Sequence, residues 1–183
     1  MELLDRVKAI LFTPQTEWPV IAREKGGVAR LFVRYVAVLA LIPALARLIG
    51  TALIGSYAPI GPSLAGALVT YLSGFAAVYA LALVIDALAP MFGARKDFAG
   101  ALRLAVYSCT PVWLAGIFLL VPGLSFLVSL GLYGAYLIWT GLPILMQPPA
   151  ERALPYAALV AGCGLLVAAG LGLIAAPLFG APG

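Results

Sequence analysis

Residues 64–89 read LAGALVTYLSGFAAVYALALVIDALA, with one charge, Asp86, close to the end. A helix that crosses a bilayer needs about 20 mostly apolar residues, and this run is longer than that. It has no period-2 alternation, so it does not read as a barrel strand. Backbone amides facing lipid must bond within their own segment, which makes the run a helix.

Four further runs of the same kind lie outward from it, at 31–54, 101–120, 124–145 and 154–179. The composition agrees. The chain is 64% hydrophobic and 10% charged, with a mean hydropathy of +1.11. A water-soluble domain carries about 25% charged residues, so lipid has to cover this one. The fold class read from these runs is all-α: an integral membrane bundle of five transmembrane helices preceded by a short amphipathic interfacial helix. Residues 1–27 form the leader and 28–183 the bundle. No stretch outside the runs is long enough to bury a core of its own. Cys109 and Cys163 both fall inside apolar runs and read as small packing groups rather than as a disulfide.

The connectors give a direction. SYAPIGP (56–62), VPG (121–123) and the tail GAPG (180–183) carry no charge, and VPG reads as a tight turn joining the third and fourth runs. MFGARKDF (91–98) carries Arg95 and Lys96, with Arg103 just beyond, and QPPAER (147–152) carries Arg152. Arg6, Lys8, Arg23, Lys25, Arg30 and Arg34 surround the leader. Every cation outside the runs thus falls on one side, and the positive-inside rule places that side in the cytoplasm. The expectation is a multi-pass protein of a prokaryotic cytoplasmic or inner membrane, with its N-terminus cytoplasmic and its C-terminus outside. The net charge of +4 is spread between apolar runs, so it points to topology and not to nucleic acid.

The leader is amphipathic. On a helical wheel Leu3, Leu4, Val7, Ile10 and Leu11 share one face, while Glu2, Asp5, Arg6 and Lys8 share the other. Thr13-Pro14 ends this helix, Thr16 is placed to cap a second one, and Gly26-Gly27 follows. The reading is a foot lying in the membrane plane, with Trp18 as a headgroup anchor.

The polar residues within the runs are the candidate functional groups. Asp86 lies about three residues, roughly 5 Å, from the cytoplasmic end of its run, within reach of headgroup water or of Arg95 and Lys96. Arg47 stands deeper, in the outer part of the core, too far from Asp86 to pair with it. Its stem can snorkel outward. Pro43 and Pro111 should kink their helices. In YSCTPVW (107–113), Pro111 frees the carbonyl of Tyr107, and Ser108 and Thr110 are expected to bond nearby backbone. Tyr133, Tyr136 and Thr140 share a face that can meet these hydroxyls across the hairpin. Gly66, Thr70 and Gly74 make a small-residue seam, and Ala46 and Gly50 a shorter one. Each suits either packing within the chain or dimerisation.

Protein-only catalysis is not expected. GPSL (61–64) has the look of an intramembrane serine protease stretch, but the chain has no histidine to serve as base. Aspartyl proteolysis needs two carboxylates at one site, and only Asp86 lies near the core. No phosphate loop, dinucleotide pattern or metal-ligand cluster is present, so no cofactor is expected.

LLDRVKAILFTPQTEWPVI at the N-terminus, IPALARLIG in the first run, YALALVIDALAPMFGARKD at the second connector and LAVYSCTPVWLAGIF in the third resemble the Yip1-domain family in its short prokaryotic form. The resemblance covers nearly the whole chain and implies a five-helix membrane fold with a cytosolic N-terminus. Eukaryotic relatives, which it links to Rab GTPases, vesicle traffic and membrane shaping, carry a longer leader. Arg47 and Cys109 depart from the residue types usual for the family.

Two functions remain in view. The first is a non-enzymatic membrane-organising or partner-binding scaffold, expected as a homo-oligomer. It would meet lipid headgroups or an unidentified protein partner through Trp18, Arg95, Lys96 and Asp97. The second is a small-molecule or ion permease. Its conduit would run between the second, third and fourth runs, lined by Tyr107, Ser108, Thr110, Tyr133, Tyr136 and Thr140, with Asp86 titrating.

Overall fold

A computed structural model describes residues 3–24, 27, 31–54 and 59–175. Glu2, Lys25, Gly26, Arg30, the connector residues 55–58 and everything beyond 175, including the tail 180–183, lie outside the described residues. Among the described residues every element is helical. Two short helices come first, α1 (Leu3–Phe12) and α2 (Pro14–Arg23). Five helices long and apolar enough to cross a membrane follow. They are span one (Phe32–Ile54), span two (Ile60–Phe92), span three (Phe98–Leu120), span four (Gly123–Leu145) and span five (Ala150–Ile174). The five expected runs are all present, and the main differences lie at their ends. Span three starts earlier because Asp97 caps it, accepting from the amides of Ala99 and Gly100 at 3.1 and 3.2 Å.

Proline breaks appear where the missing amides put them. Pro43 cannot donate to residue 39, and span one turns at Ala40 before its helix restarts at Leu41. Pro111 likewise interrupts span three at Cys109, after which a helix runs Thr110–Ala115. The Val121-Pro122-Gly123 turn closes as expected, with the Leu124 amide on the Val121 carbonyl at 2.8 Å. The two basic connectors meet, since the Arg95 amide donates to the Met146 carbonyl at 2.8 Å. This defines a basic end of the bundle.

Glycines bring the spans together. A Cβ on Gly74 would stand 3.3 Å from Ala40 Cβ, one on Gly50 would collide with the Leu119 carbonyl, and one on Gly116 would stand 2.5 Å from Pro43 Cβ. Both small-residue seams are therefore used inside the chain, between spans one and two and between spans one and three.

The leader differs from its expected pose. It forms two helices, and α2 begins at Pro14, so Thr16 is not a cap; its hydroxyl donates back to the Thr13 carbonyl at 2.9 Å. The pair does not lie across the end of the bundle. The hydroxyl of Tyr133 donates to the Leu11 carbonyl at 2.8 Å, and Tyr133 is about 12 residues, roughly 18 Å, from the basic end of span four. The α1–α2 hairpin thus reaches about halfway along the bundle. Its turn is held by three side-chain hydrogen bonds. Tyr133 serves the Leu11 carbonyl, Thr13 Oγ1 serves Ala9 at 3.0 Å, and Thr16 serves Thr13. The Leu11 carbonyl, which the end of α1 leaves open, is thereby satisfied by Tyr133, while the Ala9 and Thr13 carbonyls also accept backbone amides.

Candidate functional site

The hairpin docks on span four through one large side chain. Trp18 is fully buried, and its indole Nε1 donates to Thr140 Oγ1 at 3.1 Å. Space for the indole comes from Gly141. A Cβ there would stand 2.5 Å from Trp18 Cε2 and 2.7 Å from Leu104 Cδ1. Trp18 is therefore a core residue and not a headgroup anchor. An indole with a buried N–H needs an acceptor, and Thr140 supplies it.

Below Trp18 runs a chain of edge-to-face rings. Trp18 meets Tyr107 at 6.3 Å, Tyr107 meets Tyr35 at 4.9 Å, and Tyr35 meets Trp113 at 6.4 Å. Tyr35 shares a 2.9 Å hydrogen bond with Thr110, a fully buried threonine. Thr110 thus bonds span one and not its own backbone.

Arg6 completes the seam. It bonds Glu17 and Glu24 of the hairpin, and its guanidinium carbon stands 5.9 Å from the centre of the Tyr107 ring. Arg6 and Glu17 are both 7% exposed. Charges so deep persist only when paired and hydrogen-bonded. The helical wheel puts Arg6 on the polar, outward face of α1, and the structure turns it inward. The signal lies in the hairpin. An antiparallel return at Thr13-Pro14 sets Arg6 opposite a point between Glu17 and Glu24.

The six residues of the expected conduit are divided among different neighbours. Tyr133 and Thr140 face the hairpin, not the hydroxyls of span three. The Tyr136 ring packs between Tyr133 at 5.2 Å and Trp139 at 5.9 Å. Tyr107 lies under Arg6 and Trp18. Ser108 stands apart from this seam: it is 2% exposed, and its hydroxyl has no hydrogen-bond partner among the described residues.

Arg47 and Asp86 stand far apart, as expected. Arg47 borders a crevice with Thr70 and Ser73 of span two, which are some 13 or more residues before Asp86, about 20 Å along that helix. One carboxylate oxygen of Asp86 is buried with no hydrogen-bond partner among the described residues. Arg95 does not serve it, because Arg95 pairs with Asp97 at 3.2 Å. Asp97 is accordingly a cap and an ion-pair partner within the loop. Arg95 and Lys96 remain exposed at the basic end.

A model of the Yip1 domain matches residues 8–171. The inner membrane protein YohC of Escherichia coli strain K12 is 27% identical over 176 residues, covering 90% of each chain. The protein of that name from E. coli O6:H1 matches to the same extent. No solved structure is significantly similar.

Proposed function

The chain belongs to the Yip1-domain family of multi-pass membrane proteins, and from that premise we propose that it works as a non-enzymatic scaffold that organises membrane or binds a partner. The observation that carries this reading is the docked hairpin. The indole of Trp18 occupies Thr140, the Leu11 carbonyl occupies Tyr133, and Arg6 lies over Tyr107. Three of the six side chains expected to line a conduit, Tyr107, Tyr133 and Thr140, are thus engaged by the protein's own leader.

The surface offered at the basic end is Arg95 and Lys96, two flexible cations suited to anionic headgroups or to an acidic partner segment. Self-association belongs to the same proposal. Because the glycine seams are used within the chain, it rests on the exposed leucines Leu64, Leu68 and Leu72, spaced four apart along span two.

Flux in proteoliposomes tests the scaffold against the permease. Vesicles holding the chain should leak ions and small solutes no faster than protein-free vesicles. Solute movement above that background, lost on Asp86→Asn, would overturn the scaffold.

A further inference from the structure

Away from the hairpin, spans one to five leave a crevice. Its wider part, about 300 Å³, is bordered by Pro43, Arg47, Thr70, Ser73 and Trp113. A second part, about 170 Å³, lies between spans two, three, four and five and reaches Ser108. Ala77, Cys109, Val112 and Ala168 border both, so the two parts adjoin. The polarity is graded. Arg47 and two hydroxyl residues mark the wider part, whereas the second is walled by alanine, glycine and aliphatic side chains apart from Ser108 and Cys109. No carboxylate borders either part among the described residues.

We propose that this crevice holds one acyl chain of an anionic phospholipid whose phosphate sits at Arg47. Three arguments lead there. The crevice lies within the membrane-spanning segments, where the available molecules are lipids. Its charge is positive at one end only, which selects a negative headgroup, and a guanidinium presents five donors in a fork that suits phosphate alongside any bond made within the protein. Its length fits as well. Pro43 packs on Gly116 and Gly50 on Leu119, so Arg47 stands level with about residue 118 of span three. Ser108 is then about 15 Å deeper, half of the ~30 Å hydrocarbon core and so the depth of one leaflet. The long Arg47 stem carries its charge toward the interface. This site is separate from the scaffold role, and the flux result does not bear on it.

The test is native mass spectrometry of the full chain released from nanodiscs of equal phosphatidylglycerol and phosphatidylcholine. One phosphatidylglycerol should stay bound per chain, preferred about tenfold, the worth of one charge-assisted contact. Arg47→Gln should level the preference and Arg47→Lys should keep most of it. Ala77→Trp, which fills the junction of the two parts, should abolish retention. The proposal is overturned if no lipid is retained, if both lipids are retained equally, or if the preference survives Arg47→Gln. As a check that needs no variant, phosphatidylglycerol with a diazirine on its acyl chain should label the peptide holding Cys109 and Val112. Label confined to the exposed leucines of span two would overturn it equally.

Discussion

The half of the bundle nearer the basic loops and the half away from them are held together differently. The largest fully buried side chains include Trp18, Tyr156, Ile10, Ile85, Leu104, Leu137 and Met146. They belong to the leader hairpin or to the basic half. Span five has no buried residue beyond Val160 among those described. In the far half the closest approaches are made at glycines, Gly50 against the Leu119 carbonyl, Gly116 against Pro43 and Gly131 with its Cβ position 3.1 Å from Val112 Cα. That half also departs from regular helix over longer stretches, with 3₁₀ turns over Gly116–Leu120 and Pro122–Leu132 and wide turns over Gly50–Ile54, against wide turns over Phe32–Val36 and a 3₁₀ turn over Ala89–Phe92 in the basic half. Large side chains fill space between helices. Close glycine contacts draw pairs of helices together but leave gaps beside them, and the crevice is such a gap.

The largest test of this contrast is Arg6→Ala. It strands Glu17 in the interior without its cation, and breaking a buried pair in this way costs about 3–5 kcal/mol. Equilibrium unfolding in bicelles should register that loss, and Arg6→Met combined with Glu17→Met should recover most of it. A loss below about 1 kcal/mol, the worth of a surface pair, would mean that Arg6 and Glu17 keep their water. Gly141→Val comes next. It overpacks the Trp18 pocket, expected to cost about 1–3 kcal/mol, and it should speed proteolysis within α1 by loosening the hairpin. Gly74→Ala, at a contact of 3.3 Å to Ala40, should cost less and leave α1 protected. Equal effects on proteolysis would erase the distinction between the halves. The smallest effect belongs to Ser108→Ala. Its hydroxyl is buried with no partner among the described residues, which costs stability, so its removal should leave stability unchanged or raise it by about 1 kcal/mol. A loss of about 2 kcal/mol would mean that a bound polar group serves it.

Much of this architecture is legible in the residues. Runs of apolar side chains give the spans, since length and hydropathy are properties of one segment. Pro43, Pro111 and Val121-Pro122-Gly123 give the breaks and the turn because proline acts on its own backbone. The leader is harder to read. Its amphipathic face gives a helix but not a pose, and Val7 and Ile10 are buried while Leu4, on the same face, is 66% exposed. The helical wheel treats Arg6 as solvated because it considers α1 alone. The partners Glu17 and Glu24 lie on the returning helix. Trp18 next to a proline suits an interface as well as it suits a pocket, and only Gly141, far along the chain, makes that pocket. The polar residues of spans three and four are legible as polar groups at membrane depth, but their partners depend on tertiary placement. The hairpin, not the facing span, reaches Tyr133 and Thr140.

The span of chain between the docking partners dictates an order of assembly. Trp18 and Thr140 are separated by 122 residues, so α1 and α2 leave the ribosome well before any surface exists to receive them. Until span four is in place, Arg6, Glu17 and Glu24 have water as their better solvent. Entry of the hairpin therefore has to wait for span four, and a chain stalled ahead of it would carry an unfilled groove between spans three and four.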